Sequence, residues 1–200
     1  IYTGLCTFSS CSSLTIVDFS AASDAKIGQY AFNGCERLVK LTLPSALSRI
    51  NYVAFSGCSA LVELTLPTTL TSIGEMAFVQ CKSLAELTLP ATLTSIGDHA
   101  FDGCSALTSL TLPDSVTSVG DHAFEVCESL TSLTLPDSLT NVGISSFGDC
   151  TGLTSVTFRP PVSRGAFIAW AIGRSRNRGN WQITTLKHSR NVLRLITTFA

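Results

Sequence analysis

Apolar positions in this chain recur on a fixed spacing counted from cysteine. Cys11, Cys35, Cys58, Cys81, Cys104, Cys127 and Cys150 are 24 residues apart at the first interval and 23 at the next five. Leu or a close substitute follows at offsets 3, 6, 8 and 12, as Leu107, Leu110, Leu112 and Val116 follow Cys104. Offsets 6 and 8 differ by the period of a strand, so their side chains share one face. The residues at offsets 5 and 7 then point to the other face. Pro44, Pro67, Pro90, Pro113 and Pro136 stand at offset 9, where a missing N–H ends the ladder. Gly74, Gly97, Gly120 and Gly143 stand at offset 16 and predict a backbone conformation that other residues resist. An Ala-Phe pair such as Ala100-Phe101 closes each unit and is predicted to pack inward; Ser146-Phe147 replaces it once.

A coil of 23 residues cannot enclose a core alone, but stacked coils bury a continuous one. Parallel strands roughly 4.8 Å apart would make seven coils about 35 Å long. The pattern resembles the BspA-like leucine-rich repeats, whose units read as Cys, then Leu-Thr-x-Leu-x-Leu-Pro, then Ile-Gly and Ala-Phe before the next Cys. The likeness covers about residues 4–158. It implies a right-handed α/β repeat solenoid, with a sheet on one face, short strands or 3₁₀ and helical turns on the other, and no enzymatic activity. Gly4, Phe8 and Cys11 fit the end of a preceding unit, so the sequence is expected to open inside a repeat. The first full unit is irregular, with Phe19 at offset 8, Ser20 in place of Pro and one inserted residue. The last begins at Cys150 and is interrupted at Arg159-Pro160-Pro161. Two regions are therefore expected: a repeat array over 1–158 and a basic tail over 159–200.

Charge sharpens that division. The whole chain has a formal net charge of −1, but residues 1–158 hold five basic residues and all fourteen acidic ones, a net −9. Residues 159–200 hold eight basic residues and no acidic one. A composition of 45% hydrophobic and 14% charged residues excludes a disordered chain, and no apolar run is long enough for a spanning helix. In the tail, Ser163 is predicted to cap a helix over Ala166–Ile172, and Asn180 a second helix from Trp181 toward Phe199. Such helices would cap the open end of the solenoid or meet a partner. Arg174, Arg176, Arg178, Lys187, Arg190 and Arg194 could bind phosphate.

Candidate chemistry is sparse. The cysteine column reads as buried free thiols, because parallel side chains suit disulfide bridging poorly. Lys40, Glu63, Glu86, Ser109, Ser132 and Ser155 form one outward row at offset 5, and Thr42, Thr65, Thr88, Thr111, Thr134 and Thr157 another at offset 7. These rows are the expected interaction face, though β-propensity alone would also favour Thr there. Asp98-His99 and Asp121-His122 share a register. They could bind a divalent ion or respond to pH, but duplication of an exposed turn is the favoured account. No nucleophile elbow, phosphate loop or zinc-protease motif is present, and no cofactor or metal centre is expected. The expected function is a non-catalytic protein-interaction scaffold. A cell-surface adhesion or glycan-binding module is the alternative, and a nucleic-acid-associated protein acting through the basic tail is the third; membrane-surface binding by the tail ranks with that last reading. No compartment follows from the sequence.

Overall fold

The computed structural model describes residues 2–159 and 182–183. Its strands are short and lie in coil order: β1 (Tyr2–Thr3), β2 (Ile16–Asp18), β3 (Lys26–Ile27), β4 (Lys40–Thr42), β5 (Arg49–Ile50), β6 (Glu63–Thr65), β7 (Ser72–Ile73), β8 (Ser95–Ile96), β9 (Ser109–Thr111), β10 (Ser118–Val119), β11 (Ser132–Leu135), β12 (Asn141–Val142), β13 (Ser155–Phe158) and β14 (Gln182–Ile183). All pairings are parallel, with residues 23 apart facing each other along the regular coils, as Ser118 faces Asn141. The longer strands form one side of the solenoid, in a three-stranded sheet β2-β4-β6 and a four-stranded sheet β9-β11-β13-β14. The two-residue strands other than β14 form the other side, as β1-β3 and the five-stranded sheet β5-β7-β8-β10-β12.

The core between them is a set of columns. Phe8, Phe32, Phe55, Phe78, Phe101, Phe124 and Phe147 stack nearly face to face, with centroids 5.1–5.5 Å apart. The cysteine thiols form the adjacent column. Each thiol from Cys35 to Cys150 donates to the carbonyl of a Phe in the preceding coil; the Cys58 Sγ to Phe32 O distance is 3.4 Å and that of Cys104 to Phe78 is 3.4 Å. That bond gives a buried thiol a polar partner and ties neighbouring coils without a covalent link. The Ala of each Ala-Phe pair is fully buried, and where Ser146 replaces it, its Oγ lies 2.6 Å from Gly143 O and 2.9 Å from Gly120 O.

Three expectations need correction. First, no helix occurs among the described residues, so the α/β class and the 3₁₀ or helical turns give way to strands joined by turns. Each coil contains two left-handed residues, one before Ala-Phe and one before Cys: Val53 (φ 56°) and Gly57 (φ 74°), or His122 (φ 55°) and Val126 (φ 56°). Left-handed residues four apart interrupt the right-handed run a helix needs. Second, the glycines at offset 16 do not serve that conformation. A Cβ on Gly74 would lie 2.8 Å from Ile50 O, and one on Gly97 2.7 Å from Glu75 N. They let one coil's backbone approach the last. Third, Gln182 and Ile183 are not helical. They pair in parallel with Ser155 and Val156 and extend the sheet at its open edge. The other tail residues assigned above, including Ser163, Arg174, Arg176, Arg178, Lys187, Arg190 and Arg194, lie outside the described residues.

Candidate functional site

The long-strand side places the two expected rows together. Leu41, Leu110 and Leu133 point into the core and are almost fully buried, which turns the residues before and after them outward. Lys40, Glu63, Glu86, Ser109 and Ser132 are exposed, as are Thr65, Thr88 and Thr111; Thr42, Thr134, Ser155 and Thr157 are half-buried. Lys40 and Glu63 meet across the ladder at 2.8 Å. That contact raises the lysine's pKa above its ordinary value, chiefly through the hydrogen bond. Beside them the carboxylate of Asp18 accepts the Ser20 N–H at 2.8 Å, which lowers its pKa.

This side is not one sheet. Residues 86–89 belong to neither β2-β4-β6 nor β9-β11-β13-β14. The local sequence gives two reasons. In register, Glu86 would stand beside Glu63, and like charges directly opposite destabilise a ladder, whereas the Lys40–Glu63 pair supports the one before it. Ala85 also stands where Val39, Val62, Thr108 and Thr131 occupy the other coils, and Ala is a weaker strand former. At the seam lies a groove of about 510 Å³ lined by Leu87, Thr88, Leu89, Ser109, Thr111 and Asp114, with Arg159 at its edge. The Arg159 guanidinium donates to Asp114 Oδ1 at 2.8 Å, joining positions 45 residues apart. The opposite side carries a shallow trough of about 510 Å³, lined by Arg49, Asn51, Tyr52, Glu75 and the glycine column among others.

The buried thiols are chemically quiet. Burial pushes Cys58 and Cys104 up to about 12 and Cys81 well above its ordinary range. For Cys127 the hydrogen bond with Cys150 acts first and burial second. Only Cys6 is exposed, and Cys11 is half-buried. A thiol that stays protonated is neither a nucleophile nor a metal ligand.

The two Asp-His pairs behave differently from their sequence appearance. Asp98 Oδ1 accepts the Asp121 N–H at 2.8 Å and Asp121 Oδ1 accepts the Ile144 N–H at 2.6 Å, so these carboxylates clip adjacent coils. The histidines turn instead to carboxylates three residues on. His99 Nδ1 is 3.1 Å from Asp102 Oδ2, and His122 Nδ1 is 2.9 Å from Glu125 Oε2. The two imidazoles stack at 4.8 Å with an interplanar angle of 9°. Asp102 and Glu125 escaped the sequence reading because they do not adjoin a histidine. The signal was the acid three residues after each His and after no other residue of that column.

Parallel coils of this repeat, with sheets on two sides and columns of Leu, Cys and Phe between them, define a leucine-rich-repeat solenoid. The chain belongs to the BspA type leucine rich repeat family, whose model matches residues 2–104 and 71–168 in 6 copies. Among solved structures it is similar to the T. pallidum leucine rich repeat protein TpLRR, with 34% identity over 64% of this chain and 61% of that chain and a TM-score of 0.59. A leucine-rich repeat protein from Bacteroides ovatus is 23% identical, over 79% of this chain and 58% of that one, with a TM-score of 0.46. A leucine rich cell surface protein from Faecalibacterium prausnitzii is 18% identical, over 98% and 85%, with a TM-score of 0.38. The chain thus spans about three fifths of the length of the first two. No curated protein matches the chain.

Proposed function

We propose that the chain is a non-catalytic scaffold that presents its long-strand face to a protein partner. The observation that carries this reading is the seam at residues 86–89, which opens a groove of about 510 Å³ in the middle of the exposed Thr and Ser rows. Leu87 and Leu89 lie beneath it, almost wholly buried, and Thr88, Ser109 and Thr111 give it a mainly polar, hydroxyl-bearing lining. Such a lining offers a protein partner hydrogen bonds, the polar part of an interface. The array over 1–158 acts as a rigid carrier, and the region 159–200 adds a second, basic contact.

The test compares two surface variants of the full chain in partner capture from native extract. Thr88→Arg with Thr111→Arg fills the groove; Ser72→Arg with Ser95→Arg loads the opposite trough. Loss of the captured partner with the first pair alone supports the proposal. Loss with the second pair alone overturns it and moves recognition to the short-strand side.

A further inference from the structure

We propose that His99, Asp102 and Glu125, with solvent completing the coordination, form a binding site for a borderline divalent ion such as Zn²⁺, Co²⁺ or Ni²⁺. One ligand atom from each of His99, Asp102 and Glu125 lies within 4.8 Å of the others. The His99 Nδ1–Asp102 Oδ2 distance is 3.1 Å and the His122 Nδ1–Glu125 Oε2 distance 2.9 Å. Tetrahedral bonds of about 2.0–2.1 Å set neighbouring ligand atoms about 3.3 Å apart, so the three donors need to close in only modestly to share an ion. An imidazole nitrogen beside two carboxylates matches this class of metal, whereas calcium and magnesium take all-oxygen sets.

The spacing of His and carboxylate is confined to two adjacent coils. In the same column, Val53 is followed three residues later by Ser56, Met76 by Val79 and Ser145 by Gly148. Only His99 and His122 are followed by an acid, and the two acids differ, Asp102 in one coil and Glu125 in the next. The two coils differ around it, with Gly103 against Val126 and Ser105 against Glu128, yet each has a His and a carboxylate three residues on. The support beneath the donors is rigid. His99 N donates to Asp121 O and His122 N to Ile144 O, each at 2.8 Å, which fixes both left-handed turns to the following coil. Gly148 leaves space for Glu125, because a Cβ there would come 3.2 Å from Glu125 Oε1.

The placement also gives the ion a task. His99 belongs to the coil holding residues 86–89, and His122 to the coil holding β9, which are neighbours whose long strands do not pair. An ion shared between Asp102 and Glu125 would staple these two coils on the side away from their seam. Binding to the folded state alone also raises thermal stability.

The experiment titrates Co²⁺ and Zn²⁺ into the full 200-residue chain, reading calorimetry, the visible Co²⁺ spectrum and Tm. One equivalent is expected, with no thiolate charge-transfer band and a higher Tm. His99→Asn, which keeps a side chain tolerant of the left-handed backbone, and the isosteric Glu125→Gln should each weaken binding about tenfold or more. Cys6→Ser and His188→Asn should leave it unchanged. No stoichiometric binding, or binding that survives H99N and E125Q while H188N or a Cys6 change abolishes it, overturns the proposal.

Discussion

The two sides of the solenoid are built from the same repeat, yet they part in different places. The short-strand side parts between β3 and β5, where Asn51 stands at the glycine offset, and then runs unbroken to β12, while the long-strand side parts at residues 86–89. From β5 onward the short strands hold together because their register is set by backbone contact. A glycine at Gly74, Gly97, Gly120 or Gly143 brings each coil against the last, and an adjoining Ile or Val is buried. On the long-strand side, continuity depends on what faces outward. Lys40 opposite Glu63 sustains a pair of strands, and Glu86 after Glu63 does not. The floor responds as well: Leu64 and Leu66 are half-buried, whereas Leu110 and Leu112 are almost wholly enclosed. Steric fit within the stack therefore constrains one side, and side-chain electrostatics modulate the other.

The largest test of that contrast acts on both sides at once. The thiols of Cys58 and Cys104 titrate at about 12 in the fold against an ordinary 9. A raised folded value means the unfolded chain loses its protons first, so the stabilisation is full below pH 9 and is lost as pH climbs toward 12. Circular dichroism during an alkaline titration should show unfolding in that window; an unchanged signal to pH 12 would contradict the burial of the column. Next, Phe101→Ala removes a fully buried ring from the stack and should cost ~3–5 kcal/mol in chemical denaturation. Smaller again, Gly120→Ala forces a Cβ to 2.5 Å from Asp98 N and should cost ~1–3 kcal/mol, with amide exchange rising around β8 and β10. The smallest change runs the other way. Glu86→Ser removes the like-charge clash and should gain ~0.2–1 kcal/mol while slowing amide exchange at residues 86–88. No gain there would separate the seam from its electrostatic cause.

Much of this architecture was legible in one dimension. The repeat, the inward Leu, Ala, Phe and Cys columns and the outward Thr and Ser rows follow from offsets alone, because a coil repeats its geometry. What stayed hidden depends on relations between coils or on backbone hand. Nothing in Val53 or Val126 signals a left-handed residue, since β-branched side chains resist it; only the stack's closure demands it. The seam needed Glu63 and Glu86 to be read as neighbours though they are 23 residues apart. The histidine site was obscured by adjacency: Asp98 and Asp121 drew attention, but the left-handed turn aims each imidazole at the acid three positions onward. Gln182–Ile183 had no repeat signature, and an open sheet edge decided their conformation.

The thiol-to-carbonyl bond has a consequence for how such a molecule changes over generations. Each Cys addresses a Phe carbonyl in the coil before it, and every internal junction from Cys35 to Cys150 has the same donor and acceptor. A gene segment cut at any two cysteine codons and copied or excised in frame leaves junctions that already match. Coil number is therefore a quantity recombination can alter without first inventing a new interface, while substitutions in the outward rows rewrite what the surface displays.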